Sequence, residues 1–406
     1  MKQLIALTVV LLTISLAAQS PAPDWPQWRG PARDGVASGF TAPATWPAHL
    51  TKKWEIAVGA GHASPVISGN RIVVHARQEN REIVRAFDLA SGKQLWQDSV
   101  DAPYTMNPAA TGHGPGPKST PLIASGRVFT LGISGIFSAH DLATGKLLWR
   151  KDAPPTPPGF GTASSPAADG SNVIAFLGGT GAGALTAMDA ATGAVRWRWT
   201  GDGPAYSSPV VATIGGTRQI ITQSQTKLVG VAAADGRLLW DVTIKTPYEQ
   251  NSITPLVVND VVVSAGLDNP TIAYAITAAG KAWTATPRWQ NDQVSMYMSS
   301  PAANGSTLFG LSNKNRGQFF AIDAASGKTL WLGKPREAEN ASIVRAGNFL
   351  LLSTTNGELI VAGPSATAFE EVKRYTVAES AMWAHPAFAG RNIIVKDVDK
   401  VIVWSF

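Results

Sequence analysis

Ser138-Ala-His-Asp-Leu-Ala-Thr-Gly-Lys-Leu-Leu-Trp149 reads as a β-hairpin: an alternating run reaches Asp141, Thr144-Gly145 turn the chain, and a second strand sets out through Leu148 and Trp149. Asp accepts backbone N–H groups two or three residues on, and Gly takes positive φ, which together make a short bulged corner. Copies run from Asp88 to Trp96, Asp189 to Trp197 and Asp323 to Trp331, each with Thr-Gly or Ser-Gly in the corner. His140 is replaced by Phe87, Met188 and Ile322 at the matching places. The cluster His140, Asp141, Thr144 and Lys146 therefore marks a recurring corner rather than a site.

Upstream of each hairpin stands a second one, as in Pro65-Val-Ile-Ser-Gly-Asn-Arg-Ile-Val-Val-His75, where two apolar runs flank a Gly-Asn corner. Each unit then has four strands. Units open at Ser64-Pro65, Thr120-Pro121, Ser165-Pro166, Ser208-Pro209, Thr254-Pro255 and Ser300-Pro301, at a Pro-less Ala341-Ser342-Ile343, and at His385-Pro386. A spacing mostly in the forties is the length of a four-stranded propeller blade. The fourth tail, through Asp235-Gly236 to Trp240, moves the acid. The fifth loses a residue before Trp283 and runs on to Trp289, and the seventh has decayed until Tyr375 stands where a tryptophan belongs. A count of seven blades would place the loss between Ala341 and Tyr375.

The eighth unit stops at Phe406 without a fourth strand, while Leu50 to Val58 is a strand without a unit. A ring left open exposes two sheet edges, so the fold expected is all-β: an eight-bladed β-propeller of four-stranded antiparallel blades, closed by the N-terminal strand. Trp54, Trp96, Trp149, Trp197, Trp240 and Trp331 are expected between neighbouring blades, each ring N–H reaching a neighbour's carbonyl.

Composition agrees: 39 Gly and 27 Pro with only 15% charged residues describe a turn-rich chain. Met1-Lys2-Gln3, an apolar run from Leu4 to Leu16 and Ala17-Ala18 fit a cleaved export signal over residues 1–18. Residues 19–49 form an irregular lead-in whose prolines forbid helix, and residues 50–406 form the propeller. In the lead-in, Trp25 and Trp28 either brace it against the body or form a binding pair. The absence of cysteine removes disulfides, thiolate chemistry and a lipidated N-terminus. Without Lys2, 33 basic residues face 28 acidic ones, scattered along the chain, which argues against nucleic-acid binding.

The unit Ala-x-Asp-x-x-Thr-Gly-Lys-x-Leu-Trp, as in Ala139 to Trp149, resembles the repeat of the pyrroloquinoline quinone (PQQ)-like β-propellers, over nearly the whole mature chain. One branch, the quinoprotein alcohol dehydrogenases, implies PQQ with calcium over the propeller axis and alcohol or sugar oxidation. The other, the BamB-like non-catalytic branch, implies a scaffold in the cell envelope. With no cysteine pair and no acidic cluster to match calcium ligands, the second is the expectation: a periplasmic or secreted monomer without cofactor that binds an envelope protein or glycan, with no transmembrane segment.

In a propeller the loops entering each innermost strand converge around the axis. They carry His62, His113, Lys118, Thr162, Tyr206, Asn251, Tyr297, Asn340, Trp383 and His385, and this ring is the candidate binding face. Such residues also plug a channel and satisfy its backbone. His113-Gly-Pro-Gly-Pro-Lys118 is a preshaped loop that presents a cation or simply a stiff corner. The three ring histidines come from separate repeats without a close-spaced pair, so no metal is expected. No Gly-x-Ser-x-Gly or phosphate loop occurs, Gly178 to Gly183 falls at a hairpin turn, and no catalytic residue is assigned.

Overall fold

The computed structural model describes residues 24–258 and 260–406; the expected export signal, residues 1–18, lies outside them. Eight four-stranded antiparallel sheets form the ring. Blades I to VII span residues 66–101, 122–151, 167–199, 210–243, 256–291, 302–332 and 341–376, each with its strands in chain order from the axis outward. In blade VIII the order is Ala387–Ala389, Asn392–Lys396, Lys400–Ser405 and then Thr51–Ala57, so the N-terminal strand supplies the missing fourth position. The decayed seventh unit is complete, its outer strand being Glu370–Thr376. Among the described residues no helix is long and apolar enough to cross a membrane.

The corner and the tryptophan recur together because they meet. Trp54 Nε1 donates to the Leu89 carbonyl at 3.0 Å, Trp96 to Leu142 at 2.9 Å, Trp149 to Ala190 at 3.1 Å, Trp197 to Ala233 at 2.9 Å and Trp331 to Ser365 at 2.9 Å, each on the following blade. In four of these five pairs the ring lies on the corner glycine of the receiving blade. A Cβ there would stand 2.9 Å from Trp54 at Gly92, 2.6 Å from Trp96 at Gly145, 2.9 Å from Trp149 at Gly193 and 2.5 Å from Trp197 at Gly236. The glycine is thus required twice, by its φ of about +70° and by the ring it carries.

Trp240 departs from the expected pattern. It is buried and packs with Tyr274 and Ile276 of blade V, but its N–H donates at 2.8 Å to Gln219 Oε1 of its own blade and its ring covers Gly230. The reason lies in blade V, whose long hairpin Thr271–Ala279/Ala282–Asn291 lacks the Asp-x-x-Thr-Gly corner that would receive it. Trp289 takes the inter-blade place from blade V, donating to Ala324 and covering Gly327. Tyr375 is buried and its hydroxyl donates to the Pro47 carbonyl at 2.7 Å, because blade VIII has no hairpin corner and the chain leading into the closing strand occupies that place.

A second chain of contacts runs inside the ring. The backbone N–H of His385 donates to Ser64 Oγ, that of Ser64 to Thr120 Oγ1, that of Thr120 to Ser165 Oγ, and that of Ser165 to Ser208 Oγ. Ser64, Thr120, Ser165 and Ser208, each just before an opening proline, are thus hydroxyl acceptors for the blade before, as Ser300 is for Thr254. Thr254 Oγ1 instead accepts the Trp28 indole N–H at 2.8 Å, which brings the lead-in into the ring.

Candidate functional site

The lead-in closes one end of the axial channel. Trp25 pairs with Ile67 through two backbone hydrogen bonds and packs edge-on to Phe388, so it braces. Residues 26–40 then cross the channel: Arg29 donates to the Ser300 and Pro301 carbonyls of blade VI, and Arg33 to those of Ser165 and Pro166 of blade III. Both guanidinium groups are buried and make no ion pair within 4.0 Å among the described residues. Burial lowers Arg29 to about 10 and Arg33 to about 9, Asp34 partly offsetting the first and Arg29 adding to the second. The end crossed by the lead-in is also the side of the first-to-second strand turns, since Asp24 accepts the Gly69 N–H and Phe40 bridges Gly390.

The opposite, open face holds the pocket. A cavity of about 240 Å³ lies at the axis, and its lining includes His62, His113, Lys118, Tyr206, Tyr297, Asn340, Trp383 and His385, all anticipated from the loops that enter the inner strands. Of the ten ring residues only Asn251 and Thr162 are absent from that lining. Asn251 is fully buried, and its amide donates to the carbonyls of Ser224, Gln225 and Ile244, which holds the blade IV loops in place. Thr162 joins the Ile133 carbonyl through its backbone N–H.

Within the pocket, His113 and Trp383 lie edge to face at 4.7 Å between ring centroids, His62 flanks both, and Trp28 lies 4.1 Å from the His385 ring. His62 Nε2 lies 2.8 Å from the His113 carbonyl, while the Nδ1 atoms of His62 and His385 are buried without partners. Desolvation pushes His62 down to about 4 and His385 down to about 3, with the Arg29 charge adding to the latter, so both are neutral at pH 7. Lys118 donates to the Phe160 carbonyl at 2.9 Å, and burial lowers it from its ordinary value. The loop His113-Gly-Pro-Gly-Pro-Lys118 thus serves both expected ends: it is a stiff corner, with Gly116 pressed against Ala60 and Gly61, and it presents a cation to the pocket. Desolvation raises Tyr206 to about 12 and raises Tyr297 as well, so both hydroxyls stay protonated.

Several lining residues carry little signal in the sequence. The expected Trp25–Trp28 pair is split, since Trp25 braces while Trp28 faces the pocket. Ser342 and Ser353 of blade VII line it with buried, unpartnered hydroxyls. The Pro-less opening of unit seven, where Ser342 replaces the usual proline, is the one signal that pointed to them.

An adjoining cleft between blades VI and VII shares Tyr297 and Asn340 with the pocket and is lined by Arg316, Arg336, Glu337 and Glu339. Backbone strain gathers on the same face. Tyr248, Glu249, Asp268, Asn315, Arg316 and Arg336 all take left-handed φ values between 55° and 61° on loops of blades IV to VII, and Tyr248 is 80% exposed. Non-glycine residues held there cost about 1–2 kcal/mol each, and such strain collects at functional surfaces.

The family model described as outer membrane protein assembly factor BamB matches residues 80–332. Among curated relatives, the assembly factor BamB of Shewanella oneidensis is 23% identical over 258 residues, and that of Kangiella koreensis 35% identical over 68 residues. These matches span 60% and 17% of the relatives' own lengths, less than two thirds in each case. The BamB structure from Moraxella catarrhalis superposes with a TM-score of 0.65 at 15% identity, covering 88% of this chain and 98% of that one. The quinohemoprotein alcohol dehydrogenase of Comamonas testosteroni gives 0.69 at 14% identity, covering 96% of this chain and 81% of that one. At such identities the structural likeness speaks for the propeller alone.

Proposed function

The chain belongs to the family of the outer membrane protein assembly factor BamB, and on that premise we propose that it is an exported, non-catalytic propeller that holds a protein partner in the cell envelope against its open face. The observation that carries this reading is the gathering of strained, non-glycine loop residues on that face, among them the exposed Tyr248 and, in the cleft between blades VI and VII, Arg316 and Arg336. Strain maintained on exposed loops has no packing return, whereas a partner surface supplies one.

The quinoprotein reading asks for a calcium-held quinone in the axial pocket. Its lining offers imidazoles, hydroxyls, amides, indoles and an ammonium, with no carboxylate, and among the described residues no group of three or more His, Cys, Asp or Glu is placed to hold a metal ion. Calcium takes six to eight oxygen ligands, carboxylates foremost. The residues present do not fit that group.

The test is a pull-down from periplasmic extract with the wild type and with the triple variant Tyr248→Ser, Arg316→Glu, Arg336→Glu. Capture of outer-membrane assembly proteins by the wild type, reduced roughly tenfold in the variant, supports the scaffold. Equal capture by both moves the partner surface off this face. A quinone spectrum and dye reduction with alcohols, after mixing with PQQ and calcium, would sink the non-catalytic reading.

A further inference from the structure

The axial pocket is too small for a folded surface, and its chemistry is not that of a water-filled vestibule. We propose that it takes one carboxylate carried on a flat apolar group: either the last residue of a chain, with an aromatic side chain, or a free aromatic acid of that size. The inference does not depend on the scaffold reading, because it concerns a blind pocket and not the loops around it.

Three observations carry it. The first is shape: the lead-in seals the far end through Arg29 and Arg33, so a cavity of about 240 Å³ opens on one face only. That is room for one ring with a short substituent, since a dry cavity of roughly 150 Å³ already accepts benzene. A single residue or small molecule enters such a hole, and a continuous strand does not pass through it.

The second is the sign of the charge. Lys118 is the only charged side chain in the lining apart from whatever fraction of His113 is protonated, and the two buried guanidinium groups lie under the pocket at the start of the inner strands. Glu249 and Glu339 lie outside the lining, and their charges bear on Tyr206, His113 and Tyr297 rather than on Lys118. Partly desolvated cations without a facing carboxylate favour an anion, and the low-dielectric walls strengthen the attraction.

The third is the set of idle donors. Ser342 Oγ, Ser353 Oγ and His385 Nδ1 line the pocket, belong to residues no more than 6% exposed, and have no partner. Buried polar atoms are almost always paired, so three of them around one cavity mark places where a ligand oxygen belongs. Trp28, Trp383, Tyr206 and Tyr297 supply flat faces for the apolar body, with ring hydroxyls already engaged by Phe160 and Gln250.

The experiment titrates the full mature chain with 3-phenylpropionate and with its neutral amide, read by tryptophan fluorescence and calorimetry. A pentapeptide ending in free Phe and the same peptide amidated at its C-terminus form the second arm. The acid should bind at least roughly tenfold more tightly than the amide, and Lys118→Met should remove most of that difference while Lys118→Arg retains it. Ser342→Ala with Ser353→Ala should weaken the acid and leave the amide unchanged, and Lys146→Met, at an exposed hairpin corner, should change nothing. Unchanged far-UV circular dichroism checks that each variant is folded. Tighter binding of the free-acid peptide than of phenylpropionate identifies a chain end as the source, and the reverse identifies a small acid. Equal binding of acid and amide, or no binding of either acid at about 10 mM, overturns the proposal. A failed pull-down with intact acid binding would remove the scaffold and leave the pocket standing.

Discussion

At Gly145 a single hydrogen atom decides whether two blades can meet. A Cβ there would take φ +74° and press on the Trp96 ring at 2.6 Å, whereas at Gly280, with φ +62°, a Cβ meets nothing within 4 Å. Gly280→Ala should therefore cost only the left-handed strain of about 1 kcal/mol, and Gly145→Ala roughly 3 kcal/mol, the difference being the displaced indole; urea denaturation measures both. The pocket histidines set a pH response at the same scale. His385 titrates at about 3 in the fold against 6.5 when unfolded, so between those values the unfolded chain binds the extra proton. Its contribution is intact above pH 6.5 and is lost progressively as pH falls toward 3; His62, at about 4, acts in the same direction. His385→Gln should flatten the fall of stability between pH 6.5 and 4 by at most one proton's slope, about 1.4 kcal/mol per pH unit, and denaturation midpoints across that range read it directly.

Among the elements, the closing strand is the one on which the ring depends, and Lys396 ties it. Strand Thr51–Ala57 pairs along Lys400–Ser405, with one irregularity between Lys52 and Trp54. Just beyond it, the buried Lys396 ammonium donates to the carbonyls of Gly59, Gly61, Asp397 and Val398, linking the first chain segment to the last blade. Burial lowers Lys396 to about 8, with Asp397 and Asp399 opposing that shift, so the cation persists at neutral pH. Lys396→Met takes the ammonium away from those carbonyls, of which Val398 still accepts the Gly61 N–H, and a loss of roughly 3 kcal/mol is expected in thermal or urea unfolding. The lead-in is the other element that shapes the axial pocket, since it turns a through-channel into a blind one.

For the whole molecule, the tryptophan corners, the hydroxyl relay from His385 to Ser208 and the shared eighth blade leave no free end from which blades could peel. Repeat arrays without closure unfold in stages. This ring should instead unfold in one transition, with tryptophan fluorescence and far-UV circular dichroism coinciding in urea; separated transitions would contradict that. The blade count, the closing strand and most of the axial ring were legible in the sequence, because each rests on local grammar: an Asp-x-x-Thr-Gly corner, a hydroxyl before proline, a period in the forties. What a residue meets across the ring is not local. Trp240 carries the same motif as Trp197 and yet turns to Gln219, since the corner that should receive it is missing from the next blade. Asn251 occupies a ring position and is spent on three carbonyls, whereas Trp28, from an irregular lead-in, reaches Thr254 and faces the pocket. The sequence alone determined the propeller, its closure and the face where its variable loops converge, since these follow from repetition. Only the tertiary structure decided that the channel is blind, cationic beneath and lined with idle donors, because that depends on where a non-repeating segment lies among blades hundreds of residues away.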